Sequence, residues 1–99
     1  MTYITLFSIW LTAGLSPLEA GRMVCIAEKE SNMKVNAVNH TGNRNGTKDF
    51  GLYQINSIWL KELGLTKKQI LHPQVNISVA IYVYQKQGLK AWSSRGKCK

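Results

Sequence analysis

Acidic side chains are scarce in this chain of 99 residues. Glu19, Glu28, Glu30, Asp49 and Glu62 are its only carboxylates, against 13 Lys and Arg, which leaves a net charge of +8. Any acid–base chemistry must draw on those five, on His40 and His72, or on the cysteines. Cysteine is sparse too: Cys25 and Cys98 are the whole complement. Two such distant thiols without a C-x-x-C pair make no zinc site, and neither histidine stands at finger-like spacing. No metal and no cofactor is expected. Proline is down to Pro17 and Pro73, and there is no Pro-rich linker, internal repeat or low-complexity run. The longest apolar stretch, Tyr3 to Leu15, is too short to cross a bilayer as a helix, so stable membrane insertion is not expected.

What is present suits one small domain. Hydrophobic residues make up 44% of the chain, enough for a packed core. A core this small leaves a thin stability margin, which a covalent staple would widen. Cys25 and Cys98 are either two buried thiols or one disulfide closing a loop of about 70 residues, worth roughly 4 kcal/mol. In a small basic chain the disulfide is favoured, and with it a compartment outside the cytosol. The charge suits nucleic acid, anionic lipid or acidic wall polymers alike. The basic residues are scattered, with Lys67-Lys68 the longest run, so a nucleic-acid partner is not expected.

Local signals divide the chain into helices around a turn-rich centre. Tyr3 to Leu15 reads either as the apolar part of a signal peptide, with Ala13 or Ala20 near a cleavage point, or as a first helix; no Lys or Arg precedes it. Ser16-Pro17-Leu18-Glu19 is a capping box with proline at the first helical position. The helix it opens should run to about Ser31, with Met23, Ile26 and Ala27 on one face. From Asn32 to Asp49 asparagines and glycines dominate, among them Gly42 and Asn43. Asn45-Gly46 is the best hairpin signal there, between short strands. A helix is expected from Ser57 to Leu63, closed by Gly64. A second capping box, Thr66 to Gln69, opens a short helix ending before Pro73. From Pro73 to Gln87, Val75, Ile77, Val79, Ile81 and Val83 alternate as in a strand, yet the length and the closing Gly88 favour a buried helix. One more turn is expected around Ala91-Trp92. Three N-glycosylation sequons begin at Asn39, Asn45 and Asn76.

Two carboxylates stand out. Glu30 lies one turn past Ile26 at a helix C-terminus, whereas Glu28 falls on another side, toward solvent. The negative end of the helix dipole and partial burial both favour the neutral acid that a proton donor needs. Asp49 lies at a strand end in a polar hairpin. Two carboxyls in contrasting surroundings are the pattern that cleaves a glycosidic bond. The plainer alternative is a helix-end charge and a turn residue.

The segments Cys25-Ile26-Ala27-Glu28-Lys29-Glu30-Ser31-Asn32 and Ala37-Val38-Asn39, followed by Asp49-Phe50-Gly51-Leu52-Tyr53-Gln54-Ile55-Asn56-Ser57, resemble the lysozyme superfamily. The likeness is to C-type lysozymes and to small lytic transglycosylases of the soluble-lytic type, and it extends from about Leu11 to Trp92. It implies a mainly helical α+β fold with a short irregular hairpin beside the catalytic helix, in one domain over residues 1–99. It implies Glu30 as general acid and Asp49 as second carboxylate. Gln54, Asn56 and Ser57 match positions that line a saccharide cleft, and Trp92 an indole packed on the catalytic Glu. Ala91-Trp92 followed by Cys98 resembles the end of a C-type core, and implies a Cys25–Cys98 disulfide. Leu11 to Ser16 resembles the end of a helix that precedes the catalytic one, which favours Ile4 to Ala13 as a first helix over a signal segment in 1–15. The implied partner is the glycan of peptidoglycan, met outside the cell, in the periplasm or at the wall, by a monomer. C-type lysozymes carry more disulfides, and the transglycosylases usually carry a Tyr-Asn motif after the long helix that this chain lacks. The resemblance therefore leaves open a hydrolase, a transglycosylase or a wall-binding module without activity.

Overall fold

The computed structural model describes residues 1–40 and 45–98. Gly42 and Asn43 of the turn-rich segment, and Thr41 of the first sequon, lie outside them. Helix α1, Tyr3–Thr12, starts where the Thr2 hydroxyl accepts the Thr5 amide, and it buries Leu6 and Trp10 against α2, Pro17–Ser31. The expected capping box is formed: Ser16 Oγ accepts the Glu19 amide, and the Glu19 carboxylate accepts from the Ser16 backbone and hydroxyl. Tyr84 donates a further bond of 2.8 Å to Glu19, tying this helix start to a later part of the chain. The other end of α2 closes at Asn32 in the left-handed region, a conformation that asparagine tolerates.

Strands β1, Val38–Asn39, β2, Asp49–Phe50, and β3, Ile55–Asn56, form an antiparallel sheet in the order β1-β2-β3. Asp49 pairs with Asn39 on one side and Asn56 on the other. The hairpin signal anticipated the first two strands; the third arises because the chain folds back after Gly51 through a tight turn. Helices α3, Ser57–Leu63, and α4, Lys67–Leu71, follow as expected, with Gly64 left-handed at the end of α3 and the Thr66–Gln69 capping box at the start of α4. Helix α5 runs Pro73–Gln87 and crosses the core, burying Ile77, Val79, Ala80 and Val83. Its neighbours cover more than one face, so its apolar residues follow no single helical stripe; hence the strand-like alternation. Beyond it the single expected turn is two 3-10 turns, Gly88–Ala91 and Ser93–Lys97, with Trp92 extended between them.

A buried hydrogen-bond relay and a disulfide tie these elements together. Trp10 donates from Nε1 to the Tyr53 hydroxyl at 2.8 Å, and that hydroxyl donates to the Met23 carbonyl at 2.7 Å, joining α1, the β2–β3 turn and α2. Burial pushes the Tyr53 phenol far above the ordinary tyrosine range, so it stays protonated as a donor. The disulfide Cys25–Cys98 joins α2 to the last turn, across 73 residues of sequence. No helix among the described residues is long and apolar enough to cross a membrane.

Candidate active site

Glu30 stands in the last turn of α2, half-buried, with its neighbours Ala27 and Ser31 buried. Asp49 stands in the middle strand. Both line one cavity of about 200 Å³, together with Gln54, Asn56 and Trp92. Five of the six residues singled out for chemistry or substrate contact therefore meet in one place, although they come from three regions of the chain. Ser57 is the exception. It is not among the lining residues; its amide donates to the Lys48 carbonyl at 2.8 Å and its hydroxyl accepts the Lys48 amide at 3.3 Å. It prolongs the β2–β3 pairing.

Asn56 sets the position of Asp49. Its Nδ2 donates to Asp49 Oδ1 at 3.1 Å and to Thr47 Oγ1 at 2.8 Å, while its Oδ1 accepts the Ile58 amide and starts α3. This side-chain amide is held at both ends, so the carboxylate oxygen it touches is held as well. Gln54 is braced in the same way. At φ 50° its backbone is left-handed, and its Nε2 donates to the Gly51 carbonyl at 2.9 Å and the Ala37 carbonyl at 3.3 Å. Trp92 is buried, donates to the Tyr53 carbonyl at 3.0 Å and packs edge-on to the Tyr53 ring. Its indole forms part of the cavity wall.

Asn76 organises the turn behind these residues. It is fully buried; its Nδ2 donates to the carbonyls of Phe50 (2.9 Å) and Ile70 (3.0 Å), and its Oδ1 accepts the Tyr53 amide at 2.8 Å. Gly51 makes room for it. At φ 76° a Cβ there would be strained, and it would run into the Asn76 amide. With both ends of its amide used inside the core, Asn76 offers no acceptor site for a glycan in the folded protein, which removes the third sequon from consideration.

The residues that sequence reasoning missed are Trp59, Gln87 and Ser93, all of which line the same cavity. Trp59 had a usable signal: it follows the motif by two residues, on a short helix whose neighbouring Ile58 is exposed. Gln87 and Ser93 had none, because only the path of α5 and the following turns brings them to the sheet.

The comparisons with known proteins agree with this geometry. The family model described as "Lysozyme like domain" matches residues 8–94. The invasion protein IagB of Salmonella typhimurium is 40% identical over 75 residues, covering 71% of this chain and 46% of its own length. Lysozyme 1 of Musca domestica is 32% identical over 97 residues, covering 86% of this chain and 68% of its own. Among solved structures, canine milk lysozyme superposes with a TM-score of 0.78 at 24% identity over 98% of this chain and 86% of that one, a likeness of fold alone. The chain belongs to the lysozyme-like family. It spans about half the length of the invasion proteins that it matches.

Proposed function

We propose that this chain cleaves the β-1,4 bond between N-acetylmuramic acid and N-acetylglucosamine in peptidoglycan, with Glu30 as general acid. The observation that carries the reading is the meeting of Glu30 and Asp49 in one cavity walled by Trp59 and Trp92. Glu30 protonates the glycosidic oxygen as the bond breaks. Asp49, steadied by Asn56, faces the positive charge that develops on the sugar and stabilises it or attacks it. Gln54 and Asn56 hold the polar floor of the cleft, and the indoles offer apolar faces to sugar rings. We read residues 1–99 as one domain in which α1 is an integral part, acting as a monomer outside the cytosol, where the disulfide persists. The excess positive charge draws it to anionic wall polymer in a salt-sensitive way.

The second reading is a lytic transglycosylase using the same Glu30, favoured by Pro73 and Asn76-Ile77 at the start of α5, which resemble that branch. One experiment separates the possibilities. Purified peptidoglycan is incubated with the wild type, Glu30→Gln and Asp49→Asn, and released fragments are read by mass spectrometry. Reducing ends mark a hydrolase and 1,6-anhydro ends a transglycosylase. Glu30→Gln is expected to lose roughly 10²–10⁴-fold in rate. Asp49→Asn is expected to lose most activity in a hydrolase and little in a transglycosylase. Wall binding by the wild type without any release would refute the enzymatic reading.

A further inference from the structure

Beside the cavity that holds Glu30 lies a second, open groove of about 520 Å³, lined by Leu63, Leu65, Val75, Val79 and Tyr82 among others. The two are joined by an aromatic pair. Trp59 lines the first and Tyr82 the second, and their rings meet edge-on with centroids 6.0 Å apart. Over the Tyr82 ring, at 5.1 Å from its centroid, stands the ammonium of Lys86. Lys86 is exposed and makes no ion pair among the described residues. Trp59 of α3 thus meets Tyr82 of α5 between the cleft and an apolar groove, and an exposed cation stands over the Tyr82 ring.

We propose that this track binds the peptide stem that branches from the glycan strand, with Lys86 receiving a stem carboxylate and the groove receiving its alkyl side chains. The inference rests on the cleavage reading above, because it needs the glycan to lie in the cavity. The charge argues for an acidic ligand, and the groove argues for one with short apolar groups close to the acid. An anionic wall polymer of sugar or polyol phosphates has the charge but nothing to fill an aliphatic groove. The reach is also right: an extended peptide covers roughly 3.3–3.6 Å per residue. About two residues therefore span the step from Trp59 to Tyr82, and the next meets the groove. The ring of Tyr82 steadies the ammonium without neutralising it, so the charge stays available to a carboxylate.

The test compares two soluble glycans of equal length, one with intact stems and one stripped of them by an amidase. Wild type, Lys86→Met and Val79→Gln are assayed on both, and an acidic tripeptide of alanine and glutamate is titrated into each protein by NMR. The wild type is expected to show the lower KM on the stemmed glycan, and Lys86→Met to raise that KM about three- to fivefold, with kcat and the stripped-glycan KM unchanged. The tripeptide is expected to shift resonances of Tyr82, Val79 and Lys86, and Lys86→Met to weaken this binding. Equal KM values on the two glycans, unmoved by Lys86→Met and without tripeptide shifts at Tyr82, overturn the stem site and leave the cleavage reading standing. Cleavage of neither glycan overturns the cleavage reading instead, and the tripeptide titration then decides the stem site alone.

Discussion

Replacing Asn76 with alanine should remove a large part of this domain's stability, although Asn76 does not line the cleft. The side chain is fully buried and makes three hydrogen bonds, all to backbone groups of other segments: Phe50, Ile70 and Tyr53. Its removal strands two carbonyls and one amide in the core. A buried polar group left without a partner costs about 1–3 kcal/mol. Allowing for partial rescue by water, the expected loss is roughly 3–5 kcal/mol, against a total of about 5–15 kcal/mol for a domain of this size. Urea denaturation should show a much lower midpoint, and the thermal transition should fall by about 15 °C or more. A second measurement isolates the cause. Gly51→Ala is costly in the wild type, because a Cβ meets the Asn76 amide as well as demanding a left-handed alanine. In the Asn76→Ala background the steric part vanishes, so the two losses should sum to more than the double variant shows. A loss below about 1 kcal/mol for Asn76→Ala, or strict additivity with Gly51→Ala, would refute the argument that this amide holds the β2–β3 turn to α5.

Three further outcomes follow from the same structure. Reducing the Cys25–Cys98 bond, or replacing both residues with serine, should cost about 4 kcal/mol for a loop of this length; denaturation of the oxidised and reduced forms measures it, and equal midpoints would contradict it. The Glu19 carboxylate is held below the ordinary glutamate range, first by the Tyr84 hydroxyl and then by Ser16. A depressed acid stabilises the fold above its unfolded value and ceases to as pH falls through its folded value. Acid unfolding of Tyr84→Phe should therefore be less steep in that interval than that of the wild type, and superimposable curves would count against the link. Trp59→Ala should weaken glycan binding while leaving the unfolding free energy within about 1 kcal/mol of the wild type, since this indole is only half-buried; an unchanged KM would remove Trp59 from the cleft.

Much of the local structure could be read from the chain because its signals are short-range. The two capping boxes, Pro17 and Pro73 at helix starts, and Gly64 at a helix end each act within four residues, and each stands where expected. The third strand escaped notice, since Ile55-Asn56 becomes a strand only through pairing with Asp49-Phe50. Ser57 shows a different limit. It is contiguous with Gln54 and Asn56 in the motif, yet its hydroxyl and amide both face Lys48. Neighbours in a motif share a stretch of chain without sharing surroundings, because successive residues of a strand and its following helix point different ways.

Composition and motif alone determined that this is a small basic domain with few acids to choose from, that Glu30 and Asp49 were the pair to watch, and that one covalent link was available to Cys25 and Cys98. Tertiary structure alone decided which residues share the cavity, that Asn76 is the internal tie holding the motif turn, and that Lys86 stands over the Tyr82 ring. Caps, turns and composition are written in adjacent residues. The depth of a side chain and its partner across 26 residues, as between Asn76 and Phe50, are set by how helices pack, and packing is a property of the whole chain.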